Sequence, residues 1–325
     1  MILVLGSSGY VGQIFTTELR RRRYDFIPLT RKVIDYTDFN LLFDYVRKMK
    51  PALIINAAGY PGKPGVDACE LAREETLFAN TILPQTVAKV CLMTNTPWGH
   101  VSSGCIYSGA KVMDGAEMTV ERNFNQPELL RLFAERPEKV CGFTEWDEPN
   151  FSFRHAPCNF YSGTKALAEE AIRGVGQSYI WRLGMPFNER DEARNFLSQI
   201  QSHLKVYDGV HSLSHTDDFA RACLDLWERR APFGIYNVTN PGAITTRQVV
   251  EMIQSILKPN RRFEFWNDDV EFYRVGNKAL RSNAMLDASK LLTAGVKMRP
   301  VHEALVEALG KWRAGSSFAE LNRAA

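Results

Sequence analysis

The 325-residue sequence has no Cys-x-x-Cys pair; its six cysteines stand singly at 69, 91, 105, 141, 158 and 223. Scattered cysteines argue against a zinc site and a disulfide framework, and point to a reducing compartment, with the cytoplasm as the expected location. No apolar run reaches the length that spans a bilayer, so no membrane is expected as a partner. No basic region or cleavage site precedes the first apolar run, and a signal peptide is not expected. The longest basic block is Arg20 to Arg23, and the net charge is only +3. That block reads as the solvated end of a helix rather than a nucleic-acid arm. Internal repeats and low-complexity tracts are also lacking. A hydrophobic content of 45% and a charged content of 24% are globular averages. The length allows one large domain or two unequal ones.

The chain opens on Ile2-Leu3-Val4-Leu5, a short apolar run expected as a strand buried on both faces. Gly6-Ser7-Ser8-Gly9-Tyr10-Val11-Gly12 follows at once, and a helical pattern then runs to about Arg22. Strand, glycine-rich turn and helix give the context of a dinucleotide site. The first glycine permits the tight turn, the second a close approach to pyrophosphate, and the third close packing of helix on strand. The spacing is Gly-x-x-Gly-x-x-Gly rather than Gly-x-Gly-x-x-Gly. The expected cofactor contacts are Gly6, Ser8, Gly9, Tyr10, Val11 and Gly12.

A second strand is expected over Phe26 to Thr30. Its end carries Thr30-Arg31-Lys32 instead of an acidic residue, which favours NADP(H) over NAD(H) because cations suit a 2′-phosphate. Asp35 and Asp38 follow, to cap the next helix or border the adenine. Leu53-Ile54-Ile55-Asn56 is the next buried strand. The small residues Ala57, Ala58 and Gly59 then let a cofactor pass close to the backbone. A long helix over Glu74 to Met93 carries Asn80, a further cofactor candidate. The fold class that these alternations predict is α/β, a Rossmann-type doubly wound parallel sheet. The expected division is a dinucleotide-binding domain at 1–185 and a smaller α/β substrate-binding domain at 186–325, with some interleaving.

His100 to Tyr107 reads as a strand ending in Ser102 and Ser103. In a doubly wound sheet, ligands bind beyond the carboxyl ends of the strands. Tyr161 and Lys165 stand four residues apart, on one face of a helix one turn apart. Both also fall among the expected cofactor contacts. A lysine ammonium beside a phenol lowers the phenol's pKa, and such a tyrosine can pass a proton to or from a substrate oxygen. Alone, a Tyr-x-x-x-Lys pair is a common coincidence. With Ser103 and the glycine turn it becomes a set able to polarise a carbonyl. A charged stretch at 112–140, with a helix over Pro127 to Arg136, reads as an insertion or lid. Shorter elements follow, including helices over Asn195 to Leu204, Thr246 to Leu257 and Val301 to Trp312.

Taken together, the glycine turn, Ser103, Tyr161 and Lys165 resemble the extended short-chain dehydrogenase/reductases. Other stretches are similar to the bifunctional 3,5-epimerase/4-reductases of nucleotide-rhamnose synthesis and, more distantly, to dTDP-4-dehydrorhamnose reductases. They include Asn56-Ala57-Ala58-Gly59, Gly104-Cys105-Ile106, Pro149-Asn150-Phe151, Arg194-Asn195-Phe196, Thr239-Asn240-Pro241-Gly242 and Arg281-Ser282-Asn283. The resemblance implies NAD(P)H-dependent reduction of the C4 ketone of a nucleotide 4-keto-6-deoxy sugar. Tyr161 would be the proton donor, Lys165 the ribose and tyrosine partner, and Ser103 the carbonyl ligand, with Asn195 and Arg281 on the nucleotide sugar. It also implies that Cys105 acts as acid/base in epimerisation at C3 and C5. The family's lysine for the opposite face is replaced by Gln199. His203, four residues on, is the compensating candidate. The alternatives are an NAD-dependent sugar-nucleotide epimerase and a non-catalytic cofactor-sensing protein. A nucleotide sugar is the expected partner, nucleic acid is not, and a homodimer is left open.

Overall fold

The computed structural model describes residues 1–123, 127–275 and 279–313. The last residues of the expected second domain, 314–325, lie outside the described residues, as do 124–126 of the insertion. In chain order the first half comprises β1 (Ile2–Leu5), α1 (Tyr10–Arg21), β2 (Phe26–Leu29), α2 (Phe39–Met49), β3 (Leu53–Asn56), α3 (Ala68–Leu71), α4 (Arg73–Leu77), a π-helical turn (Phe78–Ile82), α5 (Leu83–Thr94), β4 (Trp98–Ser103), a 3₁₀ turn (Gly104–Ile106), β5 (Ala110–Asp114), β6 (Glu117–Glu121), α6 (Pro127–Glu135), β7 (Val140–Cys141) and α7 (Phe160–Ile172). The second half comprises β8 (Ser178–Leu183), β9 (Met185–Phe187), α8 (Phe196–Ser202), β10 (Lys205–Val206), β11 (Val210–His211), β12 (Leu213–His215), α9 (Thr216–Glu228), β13 (Gly234–Val238), β14 (Ile244–Thr245), α10 (Thr246–Ile256), β15 (Glu264–Phe265), α11 (Asp269–Val275), α12 (Ser289–Thr293) and α13 (Val301–Gly310).

Six parallel strands form the main sheet in the order β13-β8-β4-β3-β1-β2. Strands of this kind alternate side chains between two covered faces. In β1, Ile2 and Val4 join Phe15, Leu19 and Phe219 from α1 and α9. Leu3 and Leu5 point the other way, to Leu42, Val46, Val87 and Val90 of α2 and α5. Strand order reverses direction between β1 and β3, and the crevice at such a switch point is where ligands bind in doubly wound sheets. Gly6 and Ala57 therefore stand on either side of it.

After the chain has left the main sheet near residue 185, α9 and β13 return to it. The smaller body holds β9 paired with β12, β11 with β14 and β10 with β15. Its core gathers Phe196, Ile200, Val249, Ile253, Leu305 and Leu309 from α8, α10 and α13. The insertion is not helix alone: β5, β6 and β7 make a three-stranded antiparallel sheet, with Ala110 and Val112 packed near Leu129 of α6. The expected long helix from 74 to 93 is interrupted by the π turn at 78–82. No helix among the described residues is long and apolar enough to cross a membrane.

Candidate active site

Gly6 closes β1 with φ +72°, and a Cβ on it would come within 2.7 Å of the Ala58 backbone. Gly12 sits where helix meets strand; a Cβ there would lie 2.1 Å from the Gly6 carbonyl oxygen. Both positions need glycine, one for conformation and approach, the other for packing. Gly9 precedes the first turn of α1, with no side-chain cap and no acidic residue in that turn. Ser8 and Gly9 are exposed. The first amides of α1 thus face an open edge with the helix's partial positive charge behind them. This cradle fits a pyrophosphate. The Tyr10 side chain turns away from it, accepting a hydrogen bond from Asn188 Nδ2 at 3.1 Å. Arg31 is exposed just beyond β2. Asp35 does not cap a helix: it accepts from Thr37 N and Oγ1, and these bonds lower its pKa. Asp38 caps α2 through Leu41 N.

Ala57, Ala58 and Gly59 line the far side of the crevice and keep surface. Asn80 is 1% exposed, and its amide is committed within the chain. Its Oδ1 accepts from Tyr60 N at 2.8 Å, and its Nδ2 donates to Tyr60 O at 3.0 Å and Thr164 Oγ1 at 3.3 Å. Asn80, expected to contact the cofactor, fastens the loop after β3 to α7. The π turn aims it inward.

The Asn159 side chain caps α7 by accepting from Ser162 N at 2.7 Å. Tyr161 sits in the first turn, half-buried, and Lys165 one turn later is 4% exposed. Ser103 ends β4, and its Oγ accepts from Cys105 N at 3.1 Å. The Ser103 hydroxyl acts on the Tyr161 phenol and favours its ionised form. Burial raises the phenol's pKa above its ordinary value, Cys105 reinforces this, and Ser103 and Arg194 oppose it. The expected lowering by Lys165 is therefore corrected. Lys165 Nζ donates instead to the Val101 carbonyl at 2.8 Å and stands 3.3 Å from His100 Nε2. Burial brings its pKa down to about 8.

Cys105 lies in the 3₁₀ turn after β4. Burial pushes its thiol up; hydrogen bonds with Ser103 and Ser282 and the Arg281 charge pull it down. The net direction is upward, so the group rests as a thiol. It lines a cavity of about 20 Å³ together with His211, Ser212, Ser282 and Leu286. His211 is buried and its pKa is brought down to about 4 by desolvation. The expected partner His203 lies past the end of α8, exposed, with Nδ1 2.6 Å from the Gln199 carbonyl. It does not share the Gln199 helix face, because the helix stops at Ser202.

Asn195, an expected substrate contact, has a structural role. It is fully buried at the N-cap of α8, accepting from Leu197 N and donating to Asn188 and Arg190. The bonds it makes hold the chain. Arg281 Nη2 pairs with Asp67 Oδ2 at 2.7 Å, and Asp67 Oδ1 also accepts from Ala279 N at 3.0 Å. Ser282 Oγ donates to Tyr107 O at 2.6 Å. The segment 279–287 is thereby tied across the mouth beside Cys105. Sequence reasoning missed Arg194, whose guanidinium acts on Tyr161 and donates to Gly62 O. The adjacent Asn195 drew attention because it matched the same motif. It also missed His100 and Asp67.

Residues 1–313 match the RmlD substrate binding domain family. The chain is 30% identical over 263 residues to a trifunctional UDP-glucose 4,6-dehydratase/UDP-4-keto-6-deoxy-D-glucose 3,5-epimerase/UDP-4-keto-L-rhamnose-reductase of Arabidopsis thaliana, covering 81% of this chain and 35% of that one. It therefore spans about a third of that relative. It is 29% identical over 266 residues to a bifunctional dTDP-4-dehydrorhamnose 3,5-epimerase/dTDP-4-dehydrorhamnose reductase of the same plant, covering 81% of this chain and 77% of that one. In fold it is similar to the L780 UDP-rhamnose synthase of Acanthamoeba polyphaga mimivirus, with TM-score 0.79 and 21% identity, covering 95% and 98% of the two chains. A dTDP-4-dehydrorhamnose reductase of Bacillus anthracis in complex with NADP has TM-score 0.71 and 20% identity, covering 96% and 97%.

Proposed function

The chain belongs to the RmlD substrate binding domain family, and from that premise we propose that it reduces the C4 ketone of a nucleotide 4-keto-6-deoxy sugar with a nicotinamide dinucleotide. The observation that carries the reading is the convergence on the carboxyl edge of β4, in the same sheet as the glycine turn, of Ser103 with α7: Lys165 is tied to that strand at Val101, and the Tyr161 phenol feels the Ser103 hydroxyl.

The glycine turn 6–12, Ala57 to Gly59 and Lys165 would hold the dinucleotide. When bound, its reduced nicotinamide supplies the hydride. Ser103 Oγ and Tyr161 OH are fixed donors toward the oxygen on which charge develops. Burial keeps Tyr161 protonated at neutral pH. A new alkoxide is a far stronger base than a phenolate, so the phenolic proton passes to it without prior ionisation. Arg194 stabilises the phenolate left behind. Arg31, at the end of β2, favours NADPH over NADH through the 2′-phosphate.

The position of Cys105 beside Tyr161 favours a second reading, exchange at C3 and C5 before reduction. Protons alpha to a ketone are acidic, and Cys105, resting as a thiol, would return one to the enolate carbon. The test of the main reading is oxidation of NADPH in the presence of UDP- and dTDP-4-keto-6-deoxy sugars. Stoichiometric consumption with loss of the ketone supports it, and turnover of the sugar without net NADPH loss would point to the NAD-recycling epimerase instead.

A further inference from the structure

Asn56 ends β3 and His100 lies in β4; both are fully buried, and the strand register sets them side by side. Asn56 Nδ2 is 3.2 Å from His100 Nδ1, and His100 Nε2 is 3.3 Å from Lys165 Nζ. The orientation of the amide is fixed from its other end, where Oδ1 accepts from Ala58 N at 3.1 Å. A flip would set the NH₂ against that N–H, so Nδ2 faces the ring and donates. His100 Nδ1 is then the acceptor. A neutral imidazole with an acceptor Nδ1 carries its proton on Nε2. That N–H is directed at Lys165 Nζ. An ammonium has only protons to offer it, whereas an amine offers a lone pair.

We propose that Asn56 and His100 form an internal positioning pair that aims an imidazole N–H at Lys165 Nζ, disfavours the ammonium form, and so sets the pH range over which Lys165 is charged in the site. The proposal rests on the reading of Tyr161 and Lys165 as the reductase pair.

Burial already works against the ammonium, and the other polar groups around Lys165 do not add to that bias. Glu169, one turn along α7, favours the ammonium, but it is itself engaged by Arg182 of β8 at 2.8 Å and Ser102 of β4 at 2.5 Å. The π turn presents Asn80 and Thr81 to Thr164, both uncharged. From α3, Glu70 binds Phe160 N, and from α4, Arg73 lies over the Phe160 ring, both at the start of α7. The 3₁₀ turn contributes the neutral Cys105 thiol. Behind His100 stands the Trp98 ring, with centroids 6.2 Å apart. Burial and Lys165 hold the imidazole pKa well below its ordinary value, so His100 stays neutral.

The experiment is the pH profile of kcat and kcat/KM for wild type and His100→Phe, with a 15N spectrum of the wild-type imidazoles. His100→Phe removes the ring N–H without supplying another donor, and the limb assigned to Lys165 is expected to move up by about one pH unit toward an ordinary lysine. A folded variant whose activity falls equally at every pH would overturn the proposal, since that marks a packing role. The spectrum keeps the test alive if the variant does not fold. A wild-type His100 that is neutral with its proton on Nε2 supports the pair, and an Nδ1-protonated or doubly protonated ring overturns it. Tyr161→Phe separates the two layers: a fully active Tyr161→Phe sinks the reductase reading, while the imidazole spectrum still decides the Asn56–His100 pair.

Discussion

Lys165 points its side-chain nitrogen at the carbonyl oxygen of Val101, 2.8 Å away. A carbonyl at that distance anchors the nitrogen against β4, where burial disfavours its charge. The cation that acts on the tyrosine is instead Arg194, which enters from the segment before α8. The division of labour follows: Tyr161 holds the proton, Ser103 orients it, and Lys165 is poised nearer neutrality than a surface lysine.

Removing the proton donor tests that division first. Tyr161→Phe is expected to lower kcat by roughly 10²–10⁴, and Ser103→Ala by about 10². NADPH oxidation with a saturating keto-sugar is the measurement. Fluorescence-monitored cofactor binding should change little in either variant, because neither hydroxyl belongs to the pyrophosphate cradle.

The lowered pKa of Lys165 has a consequence for stability. The unfolded chain binds the proton up to about 10.5, the folded chain only up to about 8. Between those values the unfolded state holds more protons, so stability rises with pH. The gain is about 3 kcal/mol across that window, and below the folded pKa the penalty stays constant. Denaturant unfolding of wild type and Lys165→Met at pH 8 and 10 reads it. The wild type should gain on the variant at the higher pH.

Gly12→Ala places a methyl group 2.1 Å from the Gly6 carbonyl oxygen. Backbone cannot yield as a flexible side chain can. Thermal unfolding should show a loss of about 1–3 kcal/mol, with weaker dinucleotide binding because the turn that receives the pyrophosphate is displaced.

Much of this was legible in the sequence, for identifiable reasons. The four apolar residues of β1, the glycine turn and the helix after it are contiguous, and local pattern suffices for such a unit. Tyr161 and Lys165 share one helix, so their spacing also reads directly. What escaped depends on partners far along the chain. The imidazole of His100 meets Lys165 across 65 residues, and Arg281 meets Asp67 across 214. Asn195 carries a motif that proves to be the cap of α8. His203 falls just past a helix that its spacing from Gln199 needs to continue. Desolvation, invisible in a sequence, is the largest cause that raises Tyr161 instead of lowering it.

Arg31 tests the cofactor preference. A charge-assisted hydrogen bond to phosphate is worth roughly 1.5–3 kcal/mol, so Arg31→Ala should raise KM for NADPH about ten-fold or more. KM for NADH should stay as it is. Equal effects on both would leave Arg31 as surface charge.

Cys105 tests the exchange reading. In heavy water without reductant, the wild type should place deuterium at C3 and C5 of a 4-keto-6-deoxy sugar, and Cys105→Ser should not. A wild type that incorporates none removes the epimerase step and leaves the thiol a packed neighbour of Ser103.

The central claim is tested most directly by mixing the purified protein with NADPH and a panel of UDP-, dTDP-, GDP- and CDP-4-keto-6-deoxy sugars and following absorbance at the nicotinamide band. At least one sugar should consume NADPH in equal moles with its ketone and yield a 4-hydroxy product. No consumption with any of them, by a folded protein that binds NADPH, would contradict the account.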